Sequence, residues 1–189
     1  MAQDAPADPA APSLKGVRQV SSETREYPVE ANMETVTFIT QSLQQVQLRL
    51  LATCEGLTQD QVLWRPSLHA NNIGFILWHL ARGEDRRICR LRGEQHTLWA
   101  SEGWHKRFGQ PVGAPAPGDR MGLRSLPIPD LLVLTDFIKA AHQQTLDYLA
   151  ALTADGLDVA PDPSQPEHTA ASALRHLVTH KNNHHGQID

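Results

Sequence analysis

Apolar residues recur along this chain at helical spacing and nowhere at the alternate-residue spacing of a strand. Between Glu34 and Cys54, Ile39, Leu43, Val46 and Leu50 fall on one stripe, with Gln41, Gln44, Gln45 and Gln47 between them; this is the pattern of an amphipathic helix. Gly56 ends it, and Thr58 with Gln61 has the spacing of a capping box that opens a short turn closed by Pro66. A second helix is predicted from about Asn72 to Leu91, begun by an Asn cap at 71 or 72 and stopped by Gly93 in the C′ position. The third begins near Pro129-Asp130, with Leu131, Leu134, Ile138, Ala141, Thr145, Tyr148 and Leu152 on its buried face. Pro161, Pro163 and Pro166 then break the chain, and Thr169 caps a fourth helix running through Leu174, Leu177, His180 and His184.

Four amphipathic helices without strands imply an all-α four-helix bundle. The stretch from Glu94 to Pro129 is long, rich in Gly and Pro, and carries Trp99, Trp104 and Phe108. Such a connection is long enough to travel back along the bundle, so the expected order is up-down-down-up, with the second and third helices parallel. Residues 1–32 differ from the rest: Ala2 to Pro12 is a Pro/Ala/Asp mixture, and Pro28 interrupts the stretch between it and the first helix. They are expected to be a poorly ordered, flexible tail on a bundle domain of residues 33–189.

Composition narrows the partners. The 189 residues are 40% hydrophobic, enough for one domain with a buried core. A net charge of −4 offers no basic excess to neutralise phosphates, so no nucleic-acid partner is expected. No apolar run approaches bilayer length, and the amino terminus has no cationic and apolar leader, so no membrane association and a cytoplasmic location are expected. Cys54 and Cys89 are read as thiols in a reducing compartment, used as small apolar side chains.

The candidate chemistry lies in the histidines. His176, His180 and His184 follow one another at a spacing of four on the fourth helix, so neighbouring members of the series project from nearly the same face. Two such imidazoles can share a metal ion, but with ten histidines in the chain an i, i+4 pair arises by chance about as often as not. His79 lies between Ile76 and Leu80 in the apolar segment Ile73 to Ala81, where a polar ring needs a partner. That partner is either a backbone carbonyl or a metal. His176 is rotated only about 40° from His180 and is read as pocket-lining or simply solvated. His185 is turned about 100° from His184 and cannot share its ion. His69, His96, His105, His142 and His168 have no spacing argument and default to the surface. Glu84, about 140° around from His79, is a poor ligand and is expected to pair with an arginine.

Ile73-Gly74-Phe75-Ile76-Leu77-Trp78-His79-Leu80-Ala81-Arg82-Gly83-Glu84-Asp85-Arg86, then Leu98-Trp99-Ala100-Ser101-Glu102-Gly103-Trp104 with Phe108-Gly109, and finally His180-Lys181-Asn182-Asn183-His184-His185-Gly186-Gln187-Ile188-Asp189 resemble the DinB/YfiT-like family of metal-binding four-helix bundles. The resemblance covers roughly Met33 to Asp189. It implies that His79, His180 and His184 are the metal ligands, and it selects His180/His184 over His176/His180 because the family places its second paired ligand two residues before the Gly-Gln. Three neutral imidazoles leave a divalent ion its full charge and an open position, the arrangement of catalytic rather than structural zinc sites. Zinc suits imidazole best, with nickel, iron and manganese as alternatives.

Family members are similar to thiol S-transferases, and the resemblance implies a metal-dependent S-transferase joining a low-molecular-weight thiol such as bacillithiol or mycothiol to an electrophilic small molecule. The alternatives are a non-catalytic metal-binding stress-response protein, or a metal-dependent hydrolase that would need a general acid or base beside the ion. Trp104, Arg107 and Phe108 are candidates to wall a cofactor pocket over the metal, Arg107 meeting a carboxylate; equally, Trp99, Trp104 and Phe108 can anchor the long connection. The chain ends about one turn after His184, where family members often continue, so a homodimer covering this end is expected.

Overall fold

The computed structural model describes residues 34–113, 122–123 and 125–189. The tail expected for residues 1–32 lies outside these. Helix α1 (Thr35–Cys54) buries Leu43, Val46 and Leu50, the stripe read from the sequence, together with Gln47. The short α2 (Gln59–Leu63) opens on a complete capping box, Thr58 with Gln61, which satisfies two amide donors that would otherwise be orphaned. Asn72 caps α3 (Ile73–Leu91) by accepting from the Phe75 amide. Gly93, at φ 67°, takes the left-handed turn beyond that helix, a conformation that a Cβ would disfavour. The described part of the long connection includes the single-turn helices α4 (Leu98–Ser101) and α5 (Trp104–Arg107). Helix α6 (Leu131–Ala151) follows, then a 3₁₀ turn at Asp155–Asp158, and α7 (Ala170–His185), capped by Thr169 accepting from Ser172.

Side-chain pairs fix the topology. Gly74, at the start of α3, faces Ile128 just ahead of α6. Further along, Glu84 meets His142 and Thr145. Both numbers rise together, so α3 and α6 are parallel. By the same test Gln47 with Lys181 and Thr53 with His185 make α1 and α7 parallel. His79 lies against His180 and His184, while Ile88, two turns further along α3, clusters with Leu174 and Leu177, so α3 and α7 run oppositely. The order is up-down-down-up, as the long connection between the second and third long helices requires. No strand occurs among the described residues, and no helix among them is long and apolar enough to cross a membrane.

Phe137 is the centre of the larger core. Trp99, Trp104 and Phe108 surround it with ring centroids 5.1 to 5.6 Å away, the offset and edge-on geometry that aromatic quadrupoles favour. Trp104 and Phe108 are buried in this core, the packing that the anchor reading of the connection expects. Arg107 stacks on the Trp104 ring at 4.3 Å instead of facing the imidazoles. The connection is held at its other end by Asp85, whose carboxylate accepts from the Leu98 and Trp99 amides.

A second feature of the interior is polar. Along α7 the buried positions are Ala170, Leu174, Leu177, Lys181 and His185, so Lys181 sits on the apolar stripe. Its ammonium pairs with Glu84 of α3 at 2.5 Å and donates to Gln47 of α1 at 2.9 Å. The other Glu84 oxygen accepts from Thr145 at 2.8 Å and from His142 Nδ1 at 3.2 Å, both on α6. Because that carboxylate can only accept, His142 Nδ1 carries the proton, and its 3.4 Å approach to Lys181 is proximity, not a hydrogen bond. All four long helices are thereby tied at one level. Two expectations are corrected here. His142 is buried, not on the surface, and Glu84 pairs with a lysine and a histidine in place of an arginine.

Candidate metal centre

His79 projects from the middle of α3, and His180 and His184 project from successive turns of α7. Because α3 and α7 run antiparallel, the last turn of α7 lies against the first half of α3, which brings the three rings together. The Nε2 atoms of His79 and His180 are 3.0 Å apart, and one ligand atom from each of the three rings lies within 4.8 Å of the others. Ring centroids are separated by 4.9, 5.0 and 4.6 Å, and the ring planes meet at 63°, 75° and 88°. One ligand atom from each ring is thus within reach of a shared point. Two imidazole nitrogens on a tetrahedral zinc ion lie about 3.3 Å apart, so small side-chain adjustments suffice and the residues fit a divalent ion.

The surroundings prepare the rings for that task. His184 Nδ1 lies 2.9 Å from Gln187 Oε1, an acceptor, so Nδ1 carries the proton and Nε2 is left as the lone pair. Phe75 stacks on His79 at 6.2 Å with planes only 9° apart, fixing the plane of that ring. Gly83, one turn after His79, lies alongside the His180 ring, where a Cβ would stand 3.6 Å away in ordinary van der Waals contact. Burial, then the neighbouring His184 and Arg86, pushes His79 down to about 4; burial, then His79, His184, His176 and Arg87, does the same to His180. Both rings are neutral at pH 7, and neutral imidazole is the form that ligates.

The remaining histidines separate cleanly. His176 is exposed, stacked on His180 at 5.2 Å with planes 22° apart, and lines a neighbouring cavity. His185 points the other way, its Nε2 2.9 Å from Thr53 Oγ1. Thr53 also donates to Asp189, and Ile188 packs into the core, so the turn after His184 is secured within the chain. Among the described residues no carboxylate or thiol joins the three imidazoles. Cys54 is buried, its thiol pushed up by burial to about 11, and Cys89 is likewise buried and raised.

An all-helical bundle with a three-histidine site able to hold a metal, contributed by its second and fourth long helices, defines the class. Residues 42–188 match the model of the DinB superfamily, and the chain belongs to that superfamily. Among solved structures it is similar to one described as a conserved protein of locus from Enterococcus faecalis, with a TM-score of 0.72 and 19% identity over 82% of this chain and 94% of that one. At that identity the likeness is one of fold. Among curated proteins no significant match is found.

Proposed function

We propose that this protein is a divalent-metal-dependent S-transferase, acting in the cytoplasm with zinc as its ion, that joins a low-molecular-weight thiol to an electrophilic small molecule. One observation carries the reading: three half-buried imidazoles from two helices, with His79 and His180 held neutral by burial, meet at a point with no carboxylate among them. A divalent ion held there keeps its full charge, and when bound it supplies the Lewis acidity that favours a thiol's anionic form. The protein's own part is positional. Gln187 fixes the tautomer of His184, Phe75 fixes the plane of His79, and the three histidines are only partly buried.

In the reaction the S–H proton leaves to solvent and a sulfur lone pair forms the new S–C bond. The leaving group departs from that carbon with the bonding electrons, giving a thioether. A hydrolase would need a carboxylate or other base at hand, and the two buried carboxylates further along α3 are both engaged, Glu84 by Lys181, His142 and Thr145 and Asp85 by the Leu98 and Trp99 amides.

The test is conjugation of 2-mercaptoethanol to monochlorobimane, with chloride as leaving group, by metal-loaded and chelator-treated protein. Metal-dependent turnover that falls to the uncatalysed rate in His79→Ala is expected. Full metal occupancy without turnover of thiols or esters would instead identify a non-catalytic metal-binding protein, and ester cleavage without thiol conjugation a hydrolase.

A further inference from the structure

Beside the three histidines, between α3, α7 and the segment around residues 161–168, lies a cavity of about 700 Å³, within the size range of small-molecule sites. Its helical walls carry Arg87, Arg90, Arg175 and His176. None of the three arginines has a carboxylate within ion-pair distance among the described residues. The Arg87 Nε is buried and without a hydrogen-bond partner. An unpaired buried donor of this kind is costly unless something outside the chain meets it.

The opposite wall holds Asp162 and Glu167, and Arg90 acts electrostatically on Asp162. Asp162 accepts from Ser164 and Gln165, and Glu167 lies 3.8 Å from His168. Three arginines against two carboxylates leave the lining net positive, with that charge on the helical wall. Arg87 is also the arginine that acts electrostatically on both His176 and His180, which places it at the end nearest the three-histidine cluster. Since His176 stacks on His180, the cavity and the cluster share a wall.

We propose that this cavity is an anion-binding subsite, in which Arg87, Arg90 and Arg175 hold the carboxylate or phosphate of a small substrate whose reacting end lies at the three histidines. Guanidinium groups present paired N–H donors that match either anion. The link to a reacting end rests on the transferase reading; the anion site itself does not.

The experiment separates the two. Calorimetric titration of metal-loaded protein with inorganic phosphate and with succinate is expected to show binding that weakens tenfold or more in Arg87→Gln and in Arg175→Gln. Arg175 is exposed, so its replacement tests the site without endangering the fold. Binding is expected to survive in His79→Ala, which dismantles the cluster but not the cavity. No binding of either probe, or binding abolished by His79→Ala and indifferent to both arginine variants, would overturn the subsite. The second arm compares 3-mercaptopropionate with 2-mercaptoethanol at constant monochlorobimane. An Arg87→Gln rise in KM confined to the carboxylated thiol assigns the anion to the thiol. A rise seen only when the electrophile carries the carboxylate assigns it to that partner. No KM change with either, while phosphate binding is lost, would refute a substrate role and leave an anion site alone.

Discussion

Lys181→Met is expected to be among the most damaging single substitutions in this protein, although a lysine near a chain terminus reads as a surface residue. Its ammonium is only 1% exposed and is the cation facing Glu84, also 1% exposed. Methionine keeps the bulk of the stem and removes the charge. A buried carboxylate is then left without its cation, which costs about 3–5 kcal/mol. Glu84→Gln should destabilise by a similar amount, because it strands the ammonium. The double variant should be less unstable than the sum by about 2 kcal/mol or more, since the two share one interaction.

Acid supplies an independent check on the same pair. Burial alone would raise the Glu84 carboxyl, but Lys181 and His142 outweigh it and bring the group down to about 2 from an ordinary 4.5. Between those values the unfolded chain binds the proton and the folded one does not. The contribution is therefore complete above about 4.5 and lost as pH falls toward 2, and it amounts to about 3 kcal/mol. Urea unfolding followed by tryptophan fluorescence at pH 7 and at stepwise lower pH measures both effects. A loss under about 1 kcal/mol for Lys181→Met at pH 7, or a gap between wild type and Glu84→Gln that does not narrow in acid, would refute the reasoning.

The same layer bears on the site, because it pins α7 to α3 one residue from His180. Gln187→Ala frees the His184 tautomer and is expected to weaken metal binding about 10- to 100-fold with little change in stability, measured by chelator competition. Trp104→Ala is expected to do the reverse: a loss of about 3–5 kcal/mol on unfolding, with metal affinity of the folded protein unchanged. Cys54 should react with a disulfide reagent only on unfolding, since burial both hides it and raises its thiol to about 11.

Local rules made much of the fold readable. The caps at Asn72, Thr58 with Gln61, and Thr169 each depend on residues three apart or closer, so no distant partner is needed to read them. The parallel pairing of α3 and α6 is a consequence of the length of the connection between them. His79, His180 and His184 became a set through the family's motifs, not through spacing, which left His176 equally eligible. The buried polar layer escapes a reading that gives charge precedence over position. Lys181 continues Ala170, Leu174 and Leu177 at helical spacing, Glu84 falls between Leu80 and Ile88, and Gln47 comes one turn after Leu43. His142 and Thr145 likewise lie on the stripe of Ile138 and Leu149. Each stripe therefore carried the signal that these polar residues face inward, but which of them meet depends on how the helices assemble. The role of Trp104 and Phe108 was open for a similar reason: an aromatic residue in a long connection serves a core or a pocket depending on what lies beneath it, here Phe137.

Elemental analysis of the purified protein beside a His180→Ala variant, both checked for folding by circular dichroism, addresses the convergence of the three imidazoles most directly. About one divalent ion per chain in the wild type, absent from the folded variant, is expected. A wild type that stays metal-free after incubation with zinc, or a variant that retains the ion in full, would contradict a centre built from His79, His180 and His184.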